Sequence, residues 1–331
     1  MPTGEDLPKT GEMGQNTPGD LVIIGGAEDK LNRRTVLKEF IARSGGDSAR
    51  IVVIPTASSL GPEIVDVYDA AFRKLGAASI LGVRPEDREQ ANHPSFVDQL
   101  LGATGIFMTG GNQLKLSSVL AGTAFGDAIL DAHERGVTIG GTSAGASIQS
   151  SHMVAFGPGG ATPKQRMTQV AAGLGLLEDC VIDQHFDQRN RYGRLLMIVS
   201  QSPQLLGIGV DEDTAAIVSP TPDGYVLSVV GRGSVTILDP ANMVTNAHEA
   251  ARSQPILASG VLLHVLPAGS SYNLNQRTLV RAVPAANPTE IAELAVANRD
   301  LRKLARDIAA GDVSPAQLRR RVARRSKGVH K

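Results

Sequence analysis

From residue 21 onward, short aliphatic runs alternate with amphipathic stretches. Leu21-Val22-Ile23-Ile24 stops at Gly25, and a helical pattern over 29–44 follows, with Leu31, Val36, Leu37, Phe40 and Ile41 on one face. Ile51-Val52-Val53-Ile54 comes next, then a helix over 62–75, a weaker strand over 79–83 and the run Gly105-Ile106-Phe107-Met108. A helical stretch to about residue 135 leads into Val137-Thr138-Ile139 and Gly140. Strands that are apolar at every position are buried on both faces, and strands separated by helices pair in parallel with helices on each side. The pattern predicts an α/β fold, a three-layer, doubly wound and mostly parallel sheet.

The texture changes after about residue 204. Strand-like runs at 205–210, 215–218, 225–238, 261–265 and 279–283 are joined by short turns such as Pro222-Asp223-Gly224. These predict antiparallel strands completing the edge of the sheet. From about Pro288 the pattern is helical again, with Ile291, Leu294, Leu301, Leu304 and Ile308 near helical spacing and Ser314-Pro315 as a cap and first-turn proline. This tail ends in a basic run from Arg319 to Lys327, a solvated face or a contact for an acidic polymer. The expected organisation is a disordered arm over 1–19, one α/β domain over 20–285 and a helical, basic tail over 286–331.

Composition narrows the class. The first twenty residues mix Pro, Gly and charge with no apolar stretch, which is not a secretory signal. No segment approaches the roughly 20 apolar residues that cross a bilayer. A single cysteine makes no internal disulfide, which fits a reducing, cytoplasmic setting. Lys plus Arg equals Asp plus Glu at 33 each, so the whole chain exerts no net pull on nucleic acid or anionic membrane.

The strongest chemical signal is Gly140-Gly141-Thr142-Ser143-Ala144-Gly145-Ala146, between an apolar strand and a helical stretch. A serine on so sharp a strand-to-helix turn has its Oγ pushed out above the strand end, and only small neighbours fit the crowded turn. Ser143 is the expected nucleophile. The following helix aims its first amides at the same space, ready for an oxyanion. A second glycine pair, Gly110-Gly111, ends another strand, so the amides of Gly111 and Ala144 make a candidate oxyanion hole. Gly25-Gly26 is a weaker signal and lacks the spacing of a dinucleotide site.

Of seven histidines, His185 stands apart because it ends the run Cys180-Val181-Ile182-Asp183-Gln184 and should reach the same sheet rim as Ser143. Asp211, Glu212 and Asp213 follow another strand and offer the carboxylate that would orient the imidazole, Glu212 first and the other two behind it. No second His, Asp or Cys cluster has metal-ligand spacing, so neither metal nor cofactor is expected. The alternative order of an α/β-hydrolase, Ser143, Asp213 and His264, would make a general esterase, but His264 sits inside an apolar run where a structural histidine is the more natural reading.

At these residues the chain resembles the cyanophycinase family, within the serine peptidases that include the aspartyl dipeptidases. The matching segments are GGNQL at 110–114, GGTSAGA at 140–146, DQHFDQRNRYGRL at 183–195 and GIGVDEDTA at 207–215. The resemblance implies a flavodoxin-like sandwich related to class I glutamine amidotransferases, usually a homodimer. It implies hydrolysis of cyanophycin, a polyaspartate bearing arginine on each side-chain carboxylate, to β-Asp-Arg dipeptides. It gives Ser143, His185 and Glu212 the places of nucleophile, base and acid, and Gln113, Asp183, Gln184, Arg189, Arg191 and Arg194 the places of the substrate pocket. Guanidinium groups pair bidentately with carboxylates, which suits such a polymer. Asp183 would hold the substrate's arginine or pair with the pocket arginines. A small α-aspartyl dipeptidase with the same machinery, or a binding module with an idle turn, are the rivals.

Overall fold

The structure, a computed structural model, describes residues 17–281. Most of the arm and all of the predicted basic tail therefore lie outside the described residues. The strands in chain order are β1 (Leu21–Ile24), β2 (Arg50–Ile54), β3 (Ser79–Gly82), β4 (Gly105–Met108), β5 (Thr138–Thr142) and β6 (Ser150–Phe156). Then come β7 (Gln169–Ala172), β8 (Leu177–Gln184), β9 (Leu206–Val210), β10 (Thr214–Thr221), β11 (Gly224–Gly231) and β12 (Ser234–Asp239). The last five are β13 (Val244–Thr245), β14 (Ala258–Ser259), β15 (Leu262–Pro267), β16 (Ser271–Asn273) and β17 (Thr278–Arg281).

The runs that are apolar throughout form the middle of a nine-stranded sheet, in the order β17-β16-β11-β10-β1-β5-β4-β2-β3. The half from β1 to β3 is parallel, and β10, β11, β16 and β17 extend it antiparallel, as the later texture predicted. Every residue of β1, β4 and β5 is buried, which is why these segments carry no polar alternation.

One face of the sheet is covered by α1 (Thr35–Arg43) and α2 (Glu63–Lys74). Their amphipathic spacing brings Phe40, Tyr68 and Phe72 onto Phe107 of β4, with ring centroids 4.9–5.6 Å apart in tilted or edge-on pairs. Each buried ring contributes about 1.5–3 kcal/mol through burial, so this is a rigid anchor for whatever is tied to it. The predicted helix over 29–44 starts only at Thr35. Leu31, expected on its apolar face, stands on the preceding loop and is 79% exposed.

The opposite face departs from a simple helix layer. Helices α3 (Arg88–Asn92), α4 (Pro94–Val97), α5 (Gln113–Leu120) and α6 (Ala124–Glu134) cover part of it. A second, six-stranded sheet, β15-β12-β9-β8-β6-β7, covers the rest and shares one core with the first through Ile182, Ile208 and Ile237. The helix α7 (Ala144–Ser147) follows β5, and α8 (Tyr192–Gln201) packs on the far face of the second sheet. The runs 205–210 and 261–265 and the second half of 225–238, expected at the edge of the first sheet, thus belong to the second sheet as β9, β15 and β12, where β9 also pairs in parallel with β8. The carboxyl ends of β8 and β9 still arrive beside β1, where the amides of His185 and Asp213 donate to the Gly25 and Gly26 carbonyls.

Candidate active site

The site lies where four strand ends meet. After β5, Ser143 adopts φ 52 and ψ −108, a conformation a non-glycine residue holds only when its surroundings impose it. Its N–H donates to the Ile24 carbonyl at 3.0 Å. Close packing supplies the rest of the constraint, since a Cβ at Gly141 would overlap the Gly145 carbonyl and one at Gly145 would overlap the Met108 carbonyl. Among the described residues neither the Gly111 nor the Ala144 amide has an acceptor, whereas the neighbouring Thr109 and Asn112 amides are tied to Ile54 and Ala57.

His185 follows β8 with φ 47, and its N–H donates to the Gly25 carbonyl at 2.7 Å. That bond turns the imidazole back toward β5. Nε2 lies 3.1 Å from Ser143 Oγ and Nδ1 lies 2.6 Å from Glu212 Oε1, an unbroken hydrogen-bonded chain of three side chains. The three neighbouring acids differ sharply. Asp211 accepts the Asp187 amide and both the amide and hydroxyl of Ser234, while Asp213 accepts the Asp29 amide. Only Glu212 among them reaches His185. Burial holds the His185 pKa below its ordinary value; the Glu212 hydrogen bond opposes this, and the charges of Arg189 and Arg191 reinforce it. The ring is therefore neutral, and able to accept a proton, at neutral pH.

Beside the chain of three lies a buried ion cluster. Asp183, fully buried, accepts from Arg194 Nε at 2.6 Å and from its Nη2, and from Arg191 Nη1 at 3.1 Å. Arg194 Nη1 also donates to the Gly157 carbonyl, and Arg191 Nη1 to the carbonyl and side chain of Gln184. Asp183 is thus spent on the two arginines and is not free to hold a guanidinium from outside, the first of its two expected uses. Arg194 is equally occupied and only 2% exposed. Gln113, at the start of α5, donates to the Val154 and Ala155 carbonyls at 2.6 and 2.9 Å and faces Gln184 at 3.5 Å. Arg189 is the one exposed arginine of the three and stands on the turn just after His185.

With this geometry in view, similarity to known proteins decides the family. The model of peptidase family S51 matches residues 21–221. The chain belongs to peptidase family S51. It is a serine peptidase, and relatives within reach of direct alignment agree. A cyanophycinase from a Nostoc species is 40% identical over 271 residues, 81% of this chain and 90% of that protein. A cyanophycinase from Geminocystis herdmanii is 39% identical over 263 residues, 79% of this chain and 96% of the relative. The crystal structure of a peptidase from an acI-B1 actinobacterium superposes with a TM-score of 0.57 at 23% identity, over 78% of this chain and 98% of that chain, a likeness of fold.

Within this S51 chain the esterase arrangement does not assemble. His264 lies on β15 beside the Tyr272 ring, 4.9 Å between centroids, and Asp213 faces Asp29. A cavity of about 420 Å³ lined in part by His133, Glu178, Cys180 and Arg277 lies at the other ends of β8 and β9 and shares no residue with the Ser143 group. Among the described residues, no helix is long and apolar enough to cross a membrane.

The turn after β1 matters more than its sequence announced. Gly25 and Gly26 accept the amides of His185 and Asp213, at 2.7 and 2.9 Å. Gly26 has φ 106, and its Cα packs directly against the imidazole. Glu28, two residues on, is a buried carboxylate hydrogen-bonded to Thr142. A Gly-Gly pair at a strand end followed, after Ala27, by the acids Glu28 and Asp29 was the available signal, and it carries weight only once the loop is seen to touch three other strand ends.

Proposed function

We propose that this chain hydrolyses the polyaspartate backbone of cyanophycin to β-Asp-Arg dipeptides through an acyl-enzyme on Ser143. The observation that carries this is the chain Glu212–His185–Ser143, with links of 2.6 and 3.1 Å, in an S51 peptidase about 40% identical to cyanophycinases. Neutral His185 takes the Ser143 proton through Nε2 as Oγ attacks the main-chain carbonyl of an aspartyl unit. The carbonyl oxygen becomes an anion between the amides of Gly111 and Ala144; one such donor is typically worth about 10²–10³ in kcat. Glu212 fixes the imidazole through Nδ1–H and offsets the charge that forms on it. His185 then gives its proton to the leaving amine as the C–N bond breaks. Water, deprotonated by the same ring, releases the acyl group and restores Ser143.

Substrate preference follows from charge. Asp183 with Arg191 and Arg194 carries one carboxylate against two guanidiniums, so the buried cluster leaves a net positive charge behind the site, and exposed Arg189 adds another. Each unit of the polymer presents an arginine α-carboxylate that such a wall attracts. Gln113 and Gln184 brace the same wall, Gln113 through the Val154 and Ala155 carbonyls and Gln184 through Gln113 and Arg191. Cytoplasmic residence and a homodimer belong to this reading, the second readable by sedimentation velocity.

The test is release of β-Asp-Arg from insoluble cyanophycin. Wild-type protein should release it, and Ser143→Ala should lower kcat by several orders of magnitude with the melting temperature unchanged. Near-normal turnover by Ser143→Ala, or faster cleavage of short Asp-X dipeptides than of the polymer, would refute the proposal.

A further inference from the structure

Glu28 is a buried acid that the mechanism above does not use. Its side chain is 1% exposed, and a carboxylate so placed is costly unless its partners need it. Those partners are specific. Oε2 accepts the Thr142 hydroxyl at 2.6 Å, Oε1 accepts the Tyr68 hydroxyl at 2.7 Å, and Lys30 Nζ lies 2.7 Å from Oε1. Lys30 also sits over the Tyr68 ring, 5.2 Å from its centroid. Tyr68 in turn is wedged against Phe72 and Phe107 in the core.

Thr142 is the last residue of β5 and the one before the strained Ser143. The β1–β5 pairing of Ile24 with Thr142, the Ile24 carbonyl on the Ser143 amide and the Gly141–Gly145 packing fix the backbone of the turn, but none of them holds the Thr142 side chain. Glu28 does, with a charge-assisted hydrogen bond backed by a rigid aromatic cluster. We propose that Glu28 is a positioning residue that holds the Ser143 turn in its reactive geometry through the Thr142 hydroxyl.

This rests on Ser143 being the nucleophile, so the experiment reads both separately. Rates of Ser143 labelling by a serine-directed phosphonate, with kcat and KM on the polymer, are measured for wild type, Thr142→Val, Thr142→Ser, Glu28→Gln and the double variant Glu28→Gln/Thr142→Val. Displacement of a reacting atom by up to an ångström costs on the order of 10- to 100-fold. Thr142→Val should lose about that factor in kcat and in labelling rate, with KM within about twofold. Thr142→Ser, which keeps the hydroxyl, should recover most of the loss, and the double variant should be no worse than the poorer single one. Full activity in Thr142→Val, equal losses in Thr142→Val and Thr142→Ser, or losses that multiply in the double variant would each overturn the role. If Glu28→Gln does not fold, the Val and Ser variants decide alone. Absence of labelling in the wild type would instead remove the nucleophile assignment itself.

Discussion

Replacing Gly26 by alanine should inactivate the enzyme without replacing any group that reacts. A Cβ at this position would lie 2.5 Å from His185 Nε2 and 3.0 Å from Nδ1, where ordinary contact needs about 3.5 Å. The ring must retreat by about 1 Å, and it cannot retreat freely. The His185 amide is pinned to the Gly25 carbonyl at 2.7 Å, so only side-chain rotation is available. Rotation away from Gly26 lengthens the 3.1 Å link to Ser143 or the 2.6 Å link to Glu212. A misplacement of this size costs about 10²-fold in rate, equivalent to about 2.7 kcal/mol of transition-state stabilisation. The backbone adds a second penalty, because φ 106 at Gly26 is strained for any residue with a Cβ, by roughly 1–3 kcal/mol of stability. Dipeptide release from cyanophycin and phosphonate labelling should both fall at least 10²-fold while KM changes little and the protein still melts cooperatively. A Gly26→Ala protein with kcat within threefold of wild type would refute the geometry proposed for His185.

Three further outcomes follow from the charges. Protonated His185 cannot take the Ser143 proton, so kcat/KM should be full at neutral pH and fall as pH drops through a midpoint below 6.5; Arg189→Gln removes one charge that lowers this pKa and should move the midpoint upward, as a pH–rate profile would read. Asp183→Ala leaves two buried guanidiniums without their carboxylate and should destabilise by about 3–5 kcal/mol, roughly a 10 °C loss in melting temperature by calorimetry. Burial pushes the Cys180 thiol up to about 12, so the native protein should resist iodoacetamide at pH 8 and react only when unfolded, as mass spectrometry would show.

How much of this was legible in the chain depends on how local each signal is. The turn at Ser143 announces itself because a strand, a crowded bend and a helix start all fall within a few consecutive residues, and only small side chains survive there. His185 and the acidic trio were findable for a similar reason, as polar residues terminating apolar runs. Glu212 ranked ahead of Asp211 and Asp213 in the sequence, but what separates the three lies outside it, in which acids the Asp187, Ser234 and Asp29 amides claim. Asp183 shows the limit from the other side. Its neighbours in sequence allowed either a ligand for substrate arginine or a partner for the protein's own, and the burial of all three charged groups in one cluster selects the second.

The linear chain by itself therefore determined the α/β class, the parallel core strands and the serine turn, because hydrophobic period and turn chemistry act over a few residues. Tertiary structure alone decided that β8 and β9 form a second sheet, that the Gly25–Gly26 turn braces His185, and that Glu28 reaches Thr142. The last two contacts join residues more than a hundred positions apart, and no local pattern encodes a distance that only folding creates.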